Sequence, residues 1–224
     1  MPNDLAASRR ATVYAFLEQN RKTLAAVGSR TRLIFGLDAT ASREPTWSMA
    51  RELQNEMFQE AAKLGGLDTQ LVFYRGRQCQ TSNWISDAAQ LTKFMNQVEC
   101  QTGFTQIGKI LTHARKENLR QKVHALVFIG DAMEERDSDL YAIARELGLP
   151  AFLFQEGDHP GASRVFAEIA KLTKGAHCRF TPVAARELAD LLRAVAAYVA
   201  GGRQALLANK TTAAAKLLLQ LPPR

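Results

Sequence analysis

The stretch LIFGLDATAS, residues 33–42, ends an apolar run on an acid and then sets hydroxyls two and four residues on. In an extended chain, residues two apart face the same side. If the chain stays extended past the strand end, Asp38, Thr40 and Ser42 converge. Two distant segments bring oxygen donors of the same kind. ECQTGFTQIGK (99–109) carries Thr105, and beside it Thr102, just before a helix. VHALVFIGD (123–131) is a second apolar run that ends on an acid, Asp131. Asp38, Asp131 and the hydroxyls of Thr40, Ser42 and Thr105 form a hard-oxygen set with no His or Cys. Such a set suits Mg²⁺, or Mn²⁺ or Ca²⁺, and not zinc or copper. Two acids leave a divalent ion electrophilic and open to one more oxygen ligand.

Something must hold these segments together. RLIFGLD (32–38) is an apolar run bounded by polar residues and reads as a central parallel strand. TQLVFYRG (69–76), VHALVFIGD (123–131), PAFLFQEG (150–157) and AHCRFTP (176–182) read as further strands. RQCQTSNWIS (77–86) follows its strand after a single Gly, too soon for a helical crossover, so it is expected to return as a short antiparallel edge strand. Helices are expected at 11–24, 48–66, 87–98 with Asp87 as N-cap, 106–119, 138–149, 163–175 and 185–200, the last closed by Gly201-Gly202. Alternating strands and helices predict an α/β fold: a doubly wound, mostly parallel, Rossmann-like sheet with helices on both faces. Ligands in such sheets bind at the carboxyl ends of the strands, where Asp38, Thr105 and Asp131 should meet.

The chain has 224 residues and a formal net charge of +7. That charge sits at the two ends. Residues 1–30 carry five basic and two acidic side chains, residues 201–224 four basic and none acidic, and the middle balances. The expected organisation is a basic helical extension at 1–30, one domain at 31–200, and an amphipathic basic helical tail at 201–224. Neutral cores with basic ends suit docking tails more than a basic groove. No run reaches the ~18 apolar residues of a membrane span. The start has no apolar core behind a basic stretch, so a cytoplasmic protein is expected. Cys79, Cys100 and Cys178 are far apart with no CxxC, which indicates neither a disulfide framework nor a thiolate zinc site.

DATAS resembles the DxSxS signature of the metal-ion-dependent adhesion site (MIDAS) in von Willebrand factor A (VWA) domains. TGFTQIGKIL is similar to that family's second metal loop, and VFIGDAMEE to its third. KLTKGAHCRFTPVAARELADLLRAV is similar to its last strand and helix. The resemblance covers about residues 31–200. It implies direct metal coordination by Thr40 and Ser42, coordination through water by Asp38, direct coordination by Thr105 in an open state, and Asp131 acting directly or through water. It further implies a non-catalytic module that binds a carboxylate of a partner protein. The chain departs from the family at REPTW (43–47), which sets Arg43, opposed to a cation, and Glu44, a further oxygen donor, beside the site.

Two other readings compete. One is a Mg²⁺-dependent phosphoryl hydrolase on a similar sheet, with Asp38 as nucleophile or ligand; position 40 is Thr where such enzymes commonly have a second Asp. The other is nucleic-acid binding through the basic ends, without an aromatic stacking cluster to support it. GFTQIG lacks the Gly-Lys-Ser/Thr order of a phosphate loop. His113, His124, His159 and His177 stand apart from one another and are expected to be structural.

Overall fold

A computed structural model describes residues 30–44, 67–181 and 185–223. The N-terminal extension, the expected helices at 11–24 and 48–66, and Pro45–Trp47 of REPTW lie outside the described residues.

Six strands form one sheet in the order β3-β2-β1-β4-β5-β6. They are β1 (Thr31–Asp38), β2 (Leu67–Arg75), β3 (Gln78–Thr81), β4 (Ala125–Gly130), β5 (Ala151–Glu156) and β6 (Ala176–Phe180). β3 runs antiparallel to β2 at one edge, and every other pair is parallel. Alternation along β1 sends Leu33, Phe35 and Leu37 into one apolar layer and Ile34 into the other. Burial on both faces is why the middle of β1 (Leu33–Leu37) and all of β4 carry no polar side chain.

Helices cover both faces: α1 (Ala88–Met95), α2 (Ile107–Arg120), α3 (Asp137–Arg145), α4 (Pro160–Leu172), α5 (Ala185–Ala208) and α6 (Thr212–Leu218). Asp87 caps α1, accepting from Ala89 and Gln90 N–H. α4 begins three residues before its expected start, because Pro160 suits the first helical turn and His159 Nδ1 accepts from Ala162 N–H.

The C-terminal segment is not a single helical tail. Helix α5 runs through Gly201 and kinks at Gly202, whose φ of 66° is a left-handed value that glycine adopts readily. The chain breaks again before α6, which Thr211 caps through its hydroxyl. Leu206, Ala213, Ala214, Leu217 and Leu221 join the core layer beneath β1, within the compact unit that spans Thr31–Arg224. Its charges are also used internally. Arg203 donates to Leu218 and Leu221 carbonyls, and Lys216 pairs with Glu187.

The segment closes the sheet edge as well. Gln220 lays its amide along β6, accepting from His177 N–H and donating to His177 carbonyl, each at 2.8 Å. An edge strand so covered cannot pair with another chain there. Beneath that cover, burial first and Arg179 second hold the His177 imidazole down at about 4, against an ordinary value of 6.5. A folded value below the unfolded one means that stability is full above pH 6.5 and falls as pH drops toward 4, because the unfolded chain takes up the proton more readily. Since His177 is partly exposed, the contribution is about 1–2 kcal/mol, below the full shift. Replacing His177→Gln is expected to reduce the stability lost between pH 7 and pH 4.5 by that amount in urea titrations; an unchanged loss would contradict the assignment.

Candidate metal centre

Asp38 closes β1 and is 1% exposed. Beyond it the chain stays extended for two residues. Ala39 N–H donates to Tyr74 carbonyl in β2, and Gln101 N–H donates to Ala39 carbonyl, both at 3.0 Å. Asp38 and Thr40 therefore share a side, as alternation predicts, and Thr40 N–H donates to Asp38 Oδ1 at 2.8 Å. The extended path ends there. Residues Ala41–Arg43 form a 3-10 turn, closed by Arg43 N–H on Thr40 carbonyl. Ser42 reaches the site through this turn and not through alternation; its hydroxyl lies 3.1 Å from that of Thr40.

Strand β4 pairs directly with β1, Leu37 opposite Ile129, so Asp131 arrives beside Asp38. Thr105 needs more support. The first turn of α2 leaves N–H groups without helical partners, and Gln106 at the N-cap offers no side-chain cap. The loop after β4 supplies one: Ile107 and Gly108 N–H donate to the two carboxylate oxygens of Glu135, each at 2.8 Å. Glu134 clasps the preceding residue in both directions. Its carboxylate accepts from Thr105 N–H at 3.0 Å, and its own N–H donates to Thr105 Oγ1 at 2.9 Å. On the other side, Gly103 approaches the Gly76 backbone so closely that any Cβ would overlap it. Gln106 Nε2 donates to Gly76 carbonyl at 3.1 Å.

Asp38, Thr40, Ser42, Thr105 and Asp131 all line one cavity of about 310 Å³, with Thr102, Gly103 and Glu134 among its other walls. Asp38 Oδ2 and Asp131 Oδ1 are buried and make no close hydrogen bond among the described residues; the Tyr74 hydroxyl, buried in the same way, is a polar group that acts on Asp38. A sealed, unpartnered carboxylate oxygen costs about 1–3 kcal/mol or more, and a cation between the two would remove that cost. Burial raises the Asp38 carboxyl above its ordinary range; Thr40 and Tyr74 partly offset this, and Asp131 adds to it. Burial likewise drives the Tyr74 phenol up, with Asp38 the next cause. All lining donors are oxygens, which fits a hard divalent cation. No group of three His, Cys, Asp or Glu with metal-binding geometry occurs among the described residues, so an ion here would rest on hydroxyls as much as on acids.

Several residues at this edge escape a reading of the sequence. Glu134 and Glu135 look like part of a solvated acidic loop; the available signal was a helix start, TQIGK, lacking a capping side chain of its own. Phe104 is 68% exposed beside the cavity, and nothing in the sequence separates it from a core Phe. For Arg43, which the sequence does set beside the site, what escapes is its burial: it is 1% exposed and ion-paired with Glu156 at the end of β5, although its neighbours in sequence are polar. The four histidines make structural hydrogen bonds away from the cavity, with Gln70, Arg32 N–H, Ala162 N–H and Gln155.

No protein-family model matches the sequence, and no curated protein matches it. Solved structures do match in fold. An aerotolerance-related membrane protein from Bacteroides fragilis superposes with a TM-score of 0.57 at 15% identity, covering 72% of this chain and 96% of that one. The SpRpn10 VWA domain gives 0.55 at 12% identity over 72% and 95%. The vWF domain of the type V pili tip protein Mfa5 from Porphyromonas gingivalis gives 0.54 at 12% over 75% and 94%. The six-stranded sheet with one antiparallel edge strand and flanking helices is thus a VWA-like α/β fold.

If the Glu135 clasp positions the second loop, Glu135→Ala removes two charge-assisted bonds at a helix N-terminus. Its expected cost is about 1–2 kcal/mol, measured by chemical denaturation in EDTA; a change within error would mean that the cap bears no load.

Proposed function

We propose that this chain is a non-catalytic protein-binding module that holds a divalent cation, Mg²⁺ or else Mn²⁺ or Ca²⁺, and uses it to take a carboxylate from a partner protein. The supporting observation is the convergence of five oxygen-bearing side chains, two of them carboxylates, from segments up to 93 residues apart in the chain, on one cavity. Bound there, the cation would supply positive charge with a coordination position left for an oxygen from outside. The chain's residues do the rest. Asp38 and Asp131 bring negative charge, Thr40 and Ser42 present adjacent hydroxyls, and Thr105 is steadied by Glu134. Exposed Phe104 stands at the rim, where an apolar neighbour of the partner's acid could pack.

The cavity walls do not suit the hydrolase alternative. They include no Lys, Arg or His among the described residues. The N–H groups at the start of α2, where a phosphate would bind, already serve Glu135. Two of the tail's cations are engaged within the domain, which weakens the nucleic-acid reading. No helix among the described residues is long and apolar enough to cross a membrane.

The test is calorimetric and thermal. Mg²⁺ or Mn²⁺ is expected to bind wild type with measurable heat. At about 100 times the dissociation constant it should add about 2.7 kcal/mol, a rise in Tm of roughly 5–10 °C. EDTA should reverse the rise and Asp38→Ala should abolish it. No heat and no shift in the wild type would overturn the metal-dependent reading.

A further inference from the structure

Arg43 follows Ser42 directly, yet its side chain does not face water. It is the largest of the fully buried side chains. The 3-10 turn that delivers Ser42 to the cavity also turns Arg43 inward, where it pairs with Glu156. The sheet order shows what lies along the way. β1, β4 and β5 are consecutive, so an arm that leaves the end of β1 and reaches the end of β5 must pass the end of β4. Asp131 stands there. Burial lowers the Arg43 value, and the charges opposing that are Asp131 first and Asp38 next. A guanidinium is always charged in proteins and suits buried pairing.

We propose that Arg43 is the site's resident cation: anchored by Glu156, it offsets part of the charge of Asp38 and Asp131 when no metal is present and weakens the entry of a divalent ion. The first half stands without any metal; the second rests on the metal-binding reading above. Two like charges sealed side by side repel strongly at low dielectric. A built-in positive charge keeps them assembled, and the same charge then opposes a second cation. The affinity of the cavity for metal is therefore set by a residue that does not line it.

The test removes Arg43 and Glu156 as a pair, because deleting one member of a buried ion pair leaves an uncompensated charge. Arg43→Met with Glu156→Leu leaves net charge unchanged, so any change in Mg²⁺ affinity reports which of the two charges lies nearer the ion. Arg43→Gln with Glu156→Gln is the second version. The expected result is Mg²⁺ affinity at least about tenfold above wild type by calorimetry. A metal-free arm in EDTA adds Asp131→Asn to each background. It should lower the urea midpoint in wild type and raise it in the paired variant, where it relieves repulsion.

Mg²⁺ affinity equal to or below wild type would overturn the tuning role. An equal effect of Asp131→Asn in both backgrounds would overturn the resident-cation role. Folding that requires Mg²⁺ in the paired variants alone would support it, whereas failure of both to fold even with Mg²⁺ would reduce the pair to a structural bridge. If wild type takes no metal but the EDTA arm shows the reversal, the metal reading fails and the role of Arg43 stands.

Discussion

Two carboxylates end neighbouring strands, and the fold seals one oxygen of each from water. This charge problem organises the carboxyl edge of the sheet. Asp38 receives one backbone N–H, from Thr40. The Tyr74 hydroxyl meets part of the remaining demand; the guanidinium of Arg43, reaching past the end of β4, meets another part, and the proposed ion would meet the rest. The rest of the edge follows from it. The chain after β1 is held extended by Tyr74 and Gln101 so that Thr40 aligns with Asp38, and it turns sharply so that Ser42 meets Thr40.

The second loop shows how a fold places a short side chain. Thr105 cannot reach far, so the backbone that carries it has to be set accurately. That backbone is held from both sides: by the contact between Gly103 and Gly76, and by Glu134 and Glu135 from the loop after β4. The acidic pair thus joins the second and third loops into one piece. A change in the position of Asp131 would be felt at Thr105 through this clasp, which makes the three loops a mechanical unit.

Much of this was readable in the sequence, for physical reasons. β1 and β4 are buried on both faces, so they read as apolar runs, and parallel topology sends their ends to the same edge. Two residues, Gly76 and Arg77, between β2 and β3 leave no room for a crossover, so the antiparallel return was legible too. What stayed hidden depends on contacts between distant segments. Arg43 points inward only because a 3-10 turn interrupts the extended path, and polar sequence neighbours mask its burial. Glu134 and Glu135 acquire meaning from a helix start 28 residues earlier in the chain. Gly201-Gly202 looked like a helix stop; it acts as a kink, since Leu206, Leu217 and Leu221 have a core layer to enter.

The central claim is that Asp38, Thr40, Ser42, Thr105 and Asp131 enclose a site for one divalent cation. Anomalous diffraction from crystals grown with Mn²⁺ tests it most directly. The account predicts one strong anomalous peak inside that ring of residues, absent from Asp38→Ala crystals. An empty cavity, with Mn²⁺ only on surface carboxylates, would contradict it.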